Sequence, residues 1–264
     1  MKNYQEVLAK IGKLREKGLF FTNFYLNQKV VENWLDRLSF YDFSDFGCFC
    51  RDENEVKFLY FFLKDINDLA VALKKVREKI DGILVYEIIL NDNFDYIKKI
   101  SYESGFSLRL ELNRMSFVGQ CKTGILEFQN NIEFANFNDI SRILEFLKSE
   151  FDVISERIPT KNECEEYIKN RQILISKKDG ALVGCIIFSV FGKTMLLNHI
   201  VVKREFRSLK IGQELLQKAI NLASEANRFI LWVRSDNEPA IKLYEKFGYK
   251  MEKLKNFTFY SKFC

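Results

Sequence analysis

The apolar positions of this chain recur in two rhythms, and their alternation lays out a mixed α/β order. Residues 1–17 set Val7, Leu8, Ile11 and Leu14 on one helical face and Lys10, Lys13, Arg15 and Lys17 elsewhere. This predicts a terminal helix docked on its own domain, with a basic amphipathic helix for a membrane or partner as the other reading. Phe20 to Leu26 reads as a strand and Gln28 to Leu38 as a helix; Phe46 to Cys50 and Val56 to Leu63 read as strands around the polar turn Arg51 to Glu55. Lys64 to Ile80 is helical, with Ile66, Leu69, Ala70, Leu73 and Val76 inward. Ile83 to Leu90 is a buried strand, Asn93 to Ser104 a helix stopped by Gly105, and Phe106 to Val118 an extended segment.

The second half repeats the alternation. Ile125 to Phe128 reads as a strand, Asn138 to Ser149 as a helix with Ile140, Ile143, Leu144 and Leu147 inward, and Lys161 to Asn170 as another helix. Gln172 to Ser176 and Ala181 to Val190 form a hairpin, because Asp179-Gly180 is a strong turn signal. Met195 to Val202 is a strand that ends at a basic turn, Lys203 to Lys210, which opens directly into a helix carrying Leu215, Leu216, Ala219, Ile220 and Ala223 on one face. Phe229 to Val233 is a strand, Asn237 a helix cap followed by Glu238 and Pro239, Gly248 the stop, and Phe257 to Phe263 a last strand.

Chemistry enters at the basic turn. A strand, turn and helix in that order build an anion site, because the first helical turn leaves N–H groups unpaired at the positive end of the dipole. Arg207 and Lys210 add side-chain charge there. Asn237 and Tyr244 lie two turns apart, hence on one helical face.

These residues resemble the core of the GNAT family of N-acetyltransferases. The family's pyrophosphate loop, Gln/Arg-x-x-Gly-x-Gly/Ala, is similar to Arg207-Ser208-Leu209-Lys210-Ile211-Gly212, with Lys210 in place of the middle glycine. Its later block, Asn-x-x-Ala-x-x-Leu-Tyr-x-x-x-Gly-Phe/Tyr, is matched by Asn237, Ala240, Leu243, Tyr244, Gly248 and Tyr249. The resemblance covers about half of the chain and implies a mixed α/β fold. It further implies acetyl-CoA as co-substrate, backbone groups of Ile200, Val201 and Val202 on the pantetheine arm, a pyrophosphate grip from Arg207 to Gly212, and Tyr244 as general acid. Asn237 caps its helix and is a candidate cofactor contact. The Lys210 departure alters the grip, since glycine admits a closer backbone approach than lysine. Relatives that act on ribosomal-protein N-termini carry a glutamate where this chain has Trp232, which argues against carrying over that substrate.

Setting Gly105 on Gly248 brings a second copy into register, an internal repeat. Strand 83–90 then meets the Phe229 region, helix 94–104 meets Asn237 to Phe247, and Phe106 meets Tyr249. Phe94 stands where Asn237 does and Ser101 where Tyr244 does, and nothing between Phe61 and Asn67 replaces Arg207 or Gly212. The expected organisation is a tandem acyl-CoA N-acyltransferase fold, with a degenerate domain over 1–120 and an acetyltransferase domain over 121–264, joined near Gly119 to Gly124.

Composition narrows the rest. A chain of 264 residues with 47% apolar and 29% charged residues can bury two cores, and 26 Phe against 2 Pro favours regular elements. The charge of +5 is modest and interleaved with acidic residues, which argues against nucleic acid as partner. Six cysteines without a Cys-x-x-Cys pair, beside one histidine, suggest neither a metal site nor a disulfide framework. A reducing cytoplasm is expected, and no apolar stretch approaches the roughly 18 residues of a membrane span. His199, whose ordinary pKa suits proton uptake at neutral pH, is either the general base or a packed strand residue. Glu156, Glu163, Glu165 and Glu166 border the acceptor side by resemblance or form a solvated face. The expected reaction is direct acetyl transfer to a primary amine of a small molecule. Turnover-free sensing of a CoA thioester and transfer of a longer acyl group stay open beside it.

Overall fold

The computed structural model describes residues 1–25, 28–53, 56–119, 129–152 and 155–261. In chain order the elements are α1 (Tyr4–Glu16), β1 (Phe21–Thr22), α2 (Gln28–Glu32), β2 (Leu38–Asp42), β3 (Gly47–Glu53), β4 (Val56–Leu63), α3 (Leu69–Lys79), β5 (Ile83–Leu90), α4 (Phe94–Glu103) and β6 (Phe106–Val118). There follow β7 (Ile132–Phe134), α5 (Ile140–Glu150), α6 (Lys161–Lys169), β8 (Ile173–Lys178), β9 (Ala181–Phe191), β10 (Thr194–Val202), α7 (Ile211–Leu222), β11 (Arg228–Arg234), α8 (Glu238–Lys246) and β12 (Lys250–Ser261). Two compact units emerge, one of Met1–Glu111 with Leu254–Cys264 and one of Leu112–Lys253, so the divisions fall inside β6 and β12.

The N-terminal unit is a sheet in the order β2-β3-β4-β5-β12, with β1 paired to β4. Strands β2, β3 and β4 form an antiparallel meander, β5 runs parallel to β4, and residues 255–260 of β12 pair antiparallel with β5. Val7, Leu14 and Val31 pack one face of this sheet against Phe49 and Phe62, while α3 and α4 bring Leu73, Val76, Ile97 and Ile100 to the other. The N-terminal helix is thus docked on its own unit, as a buried Val or Leu contributes about 1.5–3 kcal/mol.

The C-terminal unit has the same plan. Its sheet runs β6-β11-β10-β9-β8-β7, with β8, β9 and β10 antiparallel and β11 parallel to β10. The partner on the far side of β11 is residues 112–118 of β6. Helices α5 and α6 put Ile143, Leu147 and Cys164 on one face, and α7 and α8 put Leu215, Leu216, Tyr244 and Phe247 on the other. The β8–β9 turn forms at Asp179 and Gly180, both left-handed with φ of 50° and 77°. A Cβ on Gly184 would come within 2.8 Å of Ile211 Cγ2, so the glycine lets the start of α7 lie close against β9.

Several expected elements differ. The helix from Gln28 ends at Glu32, and Leu38 opens a strand instead. The last strand begins at Lys250, ahead of the expected start at Phe257; Glu252 within it is held by Arg114 and Ser116. Strand β7 carries three residues, too few for a periodic signal. The strand expected at Ile125 to Phe128 and most of the join lie outside the described residues.

Candidate active site

The site follows from a defect in one strand. Strand β10 pairs with β11 from Thr194↔Arg228 to Leu197↔Leu231 and no further. Its other edge stays with β9 as far as Val202↔Gly184, with a register shift between Leu197 and His199. Asn198 is therefore the extra residue of a β-bulge, which turns β10 away from its parallel neighbour. The inner edge of residues 198–202 faces the opening, and among the described residues no strand pairs with it. An unpaired strand edge offers N–H and C=O groups to any extended chain bearing amides.

The basic turn hangs from the end of that edge. Residues Arg204–Leu209 form a 3-10 helix, and Arg207 Nε donates to Val202 O at 3.0 Å, tying turn to strand. The same guanidinium meets Glu150 Oε2 at 3.3 Å. Ser208 and Leu209 are exposed in this turn. Lys210 is left-handed, with φ of 61°, and precedes Ile211 and Gly212 in the first turn of α7. The conformation that glycine takes freely is thus adopted here by a lysine, at about 1–2 kcal/mol. Gly212 lies over the strand end, since a Cβ there would sit 3.5 Å from Val202 Cγ2, an ordinary contact. Buried Glu214 accepts from the Gln129 and Asn130 backbone at 3.2 and 3.0 Å and fixes the first turns of α7.

Helix α8 packs on the same face of the sheet as α7. The Asn237 side chain caps it, accepting from Ala240 N at 3.2 Å, and Gly248 ends it with φ of 95°. Tyr244 is 4% exposed and belongs to the same apolar cluster as Val202 and Ile211, against which Ile200, Phe206 and Leu243 pack. Burial pushes its phenol well above the ordinary value, so it keeps its proton throughout the neutral range.

The opposite face holds a different set. Val201 packs with α5 and α6, and the His199 ring meets Phe151 edge-on at 5.3 Å and hydrogen-bonds the Arg157 backbone. His199 and Tyr244 therefore lie on opposite faces of the sheet. Desolvation pushes the His199 imidazole down to about 4, so it is neutral at pH 7 and holds a proton weakly. Beside it Asn198 Nδ2 donates to Ser189 Oγ at 2.6 Å and to Tyr167 Oη at 3.3 Å. Burial raises the Glu156 carboxyl, Asp152 N donates to it at 3.0 Å, and the charges of Arg234, Asp152 and Asp236 act on it. Arg234 grips Asp236 through two bonds of 3.1 and 3.0 Å. Sequence reasoning passed over Asn198, although a polar residue inside the run Leu196 to Val202 was the available signal for the bulge.

Comparison with known proteins gives this geometry its context. Residues 140–249 match the profile described as acetyltransferase (GNAT) family. A stretch of 78 residues, 28% of this chain and 51% of the other, is 41% identical to a putative [ribosomal protein bS18]-alanine N-acetyltransferase of Bacillus subtilis. The chain thus spans about half the length of the curated relative it matches. Among solved structures, a GNAT-family acetyltransferase from Colwellia psychrerythraea superposes with a TM-score of 0.59 at 13% identity, over 97% of both chains. A tandem GNAT protein from the clavulanic acid biosynthesis pathway superposes with a TM-score of 0.58 at 12% identity, over 98% of this chain and 95% of its own. At such identities the likeness establishes the fold, and it extends through both units. The chain has the fold of these tandem GNAT proteins, and its residues 140–249 match the acetyltransferase (GNAT) family profile.

Proposed function

We propose that the C-terminal unit carries the single active site and transfers an acetyl group from acetyl-CoA directly to a primary amine. The observation that carries this reading is the open edge of 198–202, flanked at its end by the Arg207 turn and on one face by Tyr244. The edge fits an amide-bearing pantetheine arm, with the backbone of Ile200, Val201 and Val202 as partners. Arg207, Ser208, Leu209, Lys210, Ile211 and Gly212 fit a pyrophosphate, with Asn237 beside them. The co-substrate supplies an acetyl group activated as a thioester.

The protein's part is orientation and proton handling. Tyr244 keeps its proton at the hydroxyl until a thiolate develops beside it, then donates. A neutral His199 accepts from the incoming ammonium, and its lowered basicity makes this the weaker half of the pair. Glu156, with Asp152 and Asp236, supplies negative charge that attracts a cationic amine. The acceptor is a small-molecule amine, because among the described residues no peptide-reading module accompanies the site. A second reading, a protein N-terminal amine, is favoured by the likeness to the putative [ribosomal protein bS18]-alanine N-acetyltransferase of Bacillus subtilis.

Calorimetric titration with acetyl-CoA tests the grip: one site per chain, weakened by Arg207→Ala, is expected. Thiol release is then measured with a panel of small amines and with a peptide bearing the N-terminus of ribosomal protein bS18. Binding with no turnover on any amine would replace the enzyme reading with a sensor of CoA thioesters. Stronger turnover with longer thioesters would change the acyl group.

A further inference from the structure

We infer that the N-terminal unit keeps a cleft of the same build and that the chain fills it with its own residues 21–24, the Asn23 carboxamide standing in for a ligand amide. Strand β4 pairs in parallel with β5 only from Val56↔Ile83 to Phe58↔Val85, then parts from it, just as β10 leaves β11. The outer edge of β4 is held by β3 as far as Gly47↔Phe62. Strand β1, paired Thr22↔Phe62 and Phe21↔Leu63, must therefore occupy the inner edge that β5 has vacated.

Between β1 and the last β4–β5 pair lies the Asn23 side chain. Its Nδ2 donates to Leu59 O at 3.0 Å and to Glu87 O at 2.8 Å, and Phe61 N donates to its Oδ1 at 2.7 Å. One carboxamide thus spans the opening, touching β4 through two residues and β5 through one. Counted from the last parallel pair, Phe61 stands where Ile200 stands and Glu87 where Val233 stands. The segment is anchored by Phe24, whose N donates to Thr22 Oγ1 at 3.0 Å and whose ring stacks on Phe49 at 5.3 Å. The ligand class is an extended, amide-bearing chain, and the protein provides one covalently. A carboxamide using its acceptor and both donors leaves no vacancy for a second amide.

This inference stands on hydrogen bonds within the N-terminal unit and holds whether or not the C-terminal unit turns over substrate. The test is residue-resolved hydrogen exchange on the full chain. In the wild-type protein the Phe61 amide is protected, and adding acetyl-CoA slows Ile200 while leaving Phe61 unchanged. In Asn23→Ala the Phe61 amide exchanges about tenfold faster. Asn23→Asp keeps the acceptor for Phe61 but sets a carboxylate against two carbonyl oxygens, and lowers Tm by about 5 °C. Slowing of Phe61 by acetyl-CoA, or protection of Phe61 that survives Asn23→Ala, would overturn the inference. Failure of Ile200 alone to respond counts against the cofactor reading, with the plug still supported by Phe61 and Asn23.

Discussion

The two units part company at one joint, the turn between the splayed strand and its crossover helix. After β10 comes Lys203 to Lys210, whose Arg207 and left-handed Lys210 line the start of α7 with positive charge. After β4 comes Asp65, which caps the next turn through Asn67 N at 2.7 Å, while Asp68 accepts from Asp65 N at 3.4 Å. The N-terminal unit thus answers its helix start with its own carboxylates, where the C-terminal unit sets a cationic turn that, under the proposed function, meets an external anion. The place of Tyr244 shows the same substitution. Ser101 is fully buried and bonds to Ile97 O and to the hydroxyl of Tyr86, whose phenol burial also pushes up. One fold therefore yields two units that differ in which polar groups find partners within the chain.

The largest effect that could break this contrast is at the proposed acid. Tyr244→Phe is expected to lower kcat by about a hundredfold or more with the acetyl-CoA Kd unchanged, whereas Ser101→Ala leaves turnover intact; steady-state kinetics beside calorimetry separates them. Arg207→Ala is expected to weaken acetyl-CoA binding by about tenfold, the loss of a charge-assisted bond to phosphate. Equal binding by the variant would remove the turn from the site.

The histidine sharpens the contrast through pH, because its counterpart in β4 is Tyr60, which carries no imidazole. His199 has its folded-state pKa lowered from 6.5 to about 4, so the unfolded chain binds more protons between those values. Stability contributed by this group is present above pH 6.5 and falls as pH drops toward 4. His199→Gln should flatten that slope in thermal melts across the window.

Smaller effects test the turn itself. Lys210→Gly relieves a left-handed lysine and should raise Tm by about 3 °C, while Lys210→Ala, which keeps a Cβ, should not. Glu150→Gln frees Arg207 from a largely exposed pair and should tighten acetyl-CoA binding by about two- to threefold at low salt, with the gain fading as salt rises.

What the sequence could disclose follows the range of the forces involved. Helix α8 was legible because Asn237, Pro239 and Gly248 act on neighbouring residues, and β5 because its run of apolar residues is buried on both faces. The bulge at Asn198 depends on register with β9, and the vacancy beside it depends on where β11 turns off. The Asn23 bridge joins residues 36 and 64 positions away, and no local pattern encodes such a contact. The acidic turn was readable as a lack of basic residues, but its meaning as a self-supplied anion needed Asp65 and Asp68 in place.

Strand β12 has a consequence for how this protein is made. Residues 254–261 complete the N-terminal unit's sheet beside β5, yet they emerge only after all of 112–253 has been synthesised. At the usual 5–20 residues per second the first unit waits about 7 to 30 s with the edge of β5 uncovered. The two units are thereby committed to finishing together, and an edge strand held open for that long is an invitation to mispairing that a nascent chain must survive.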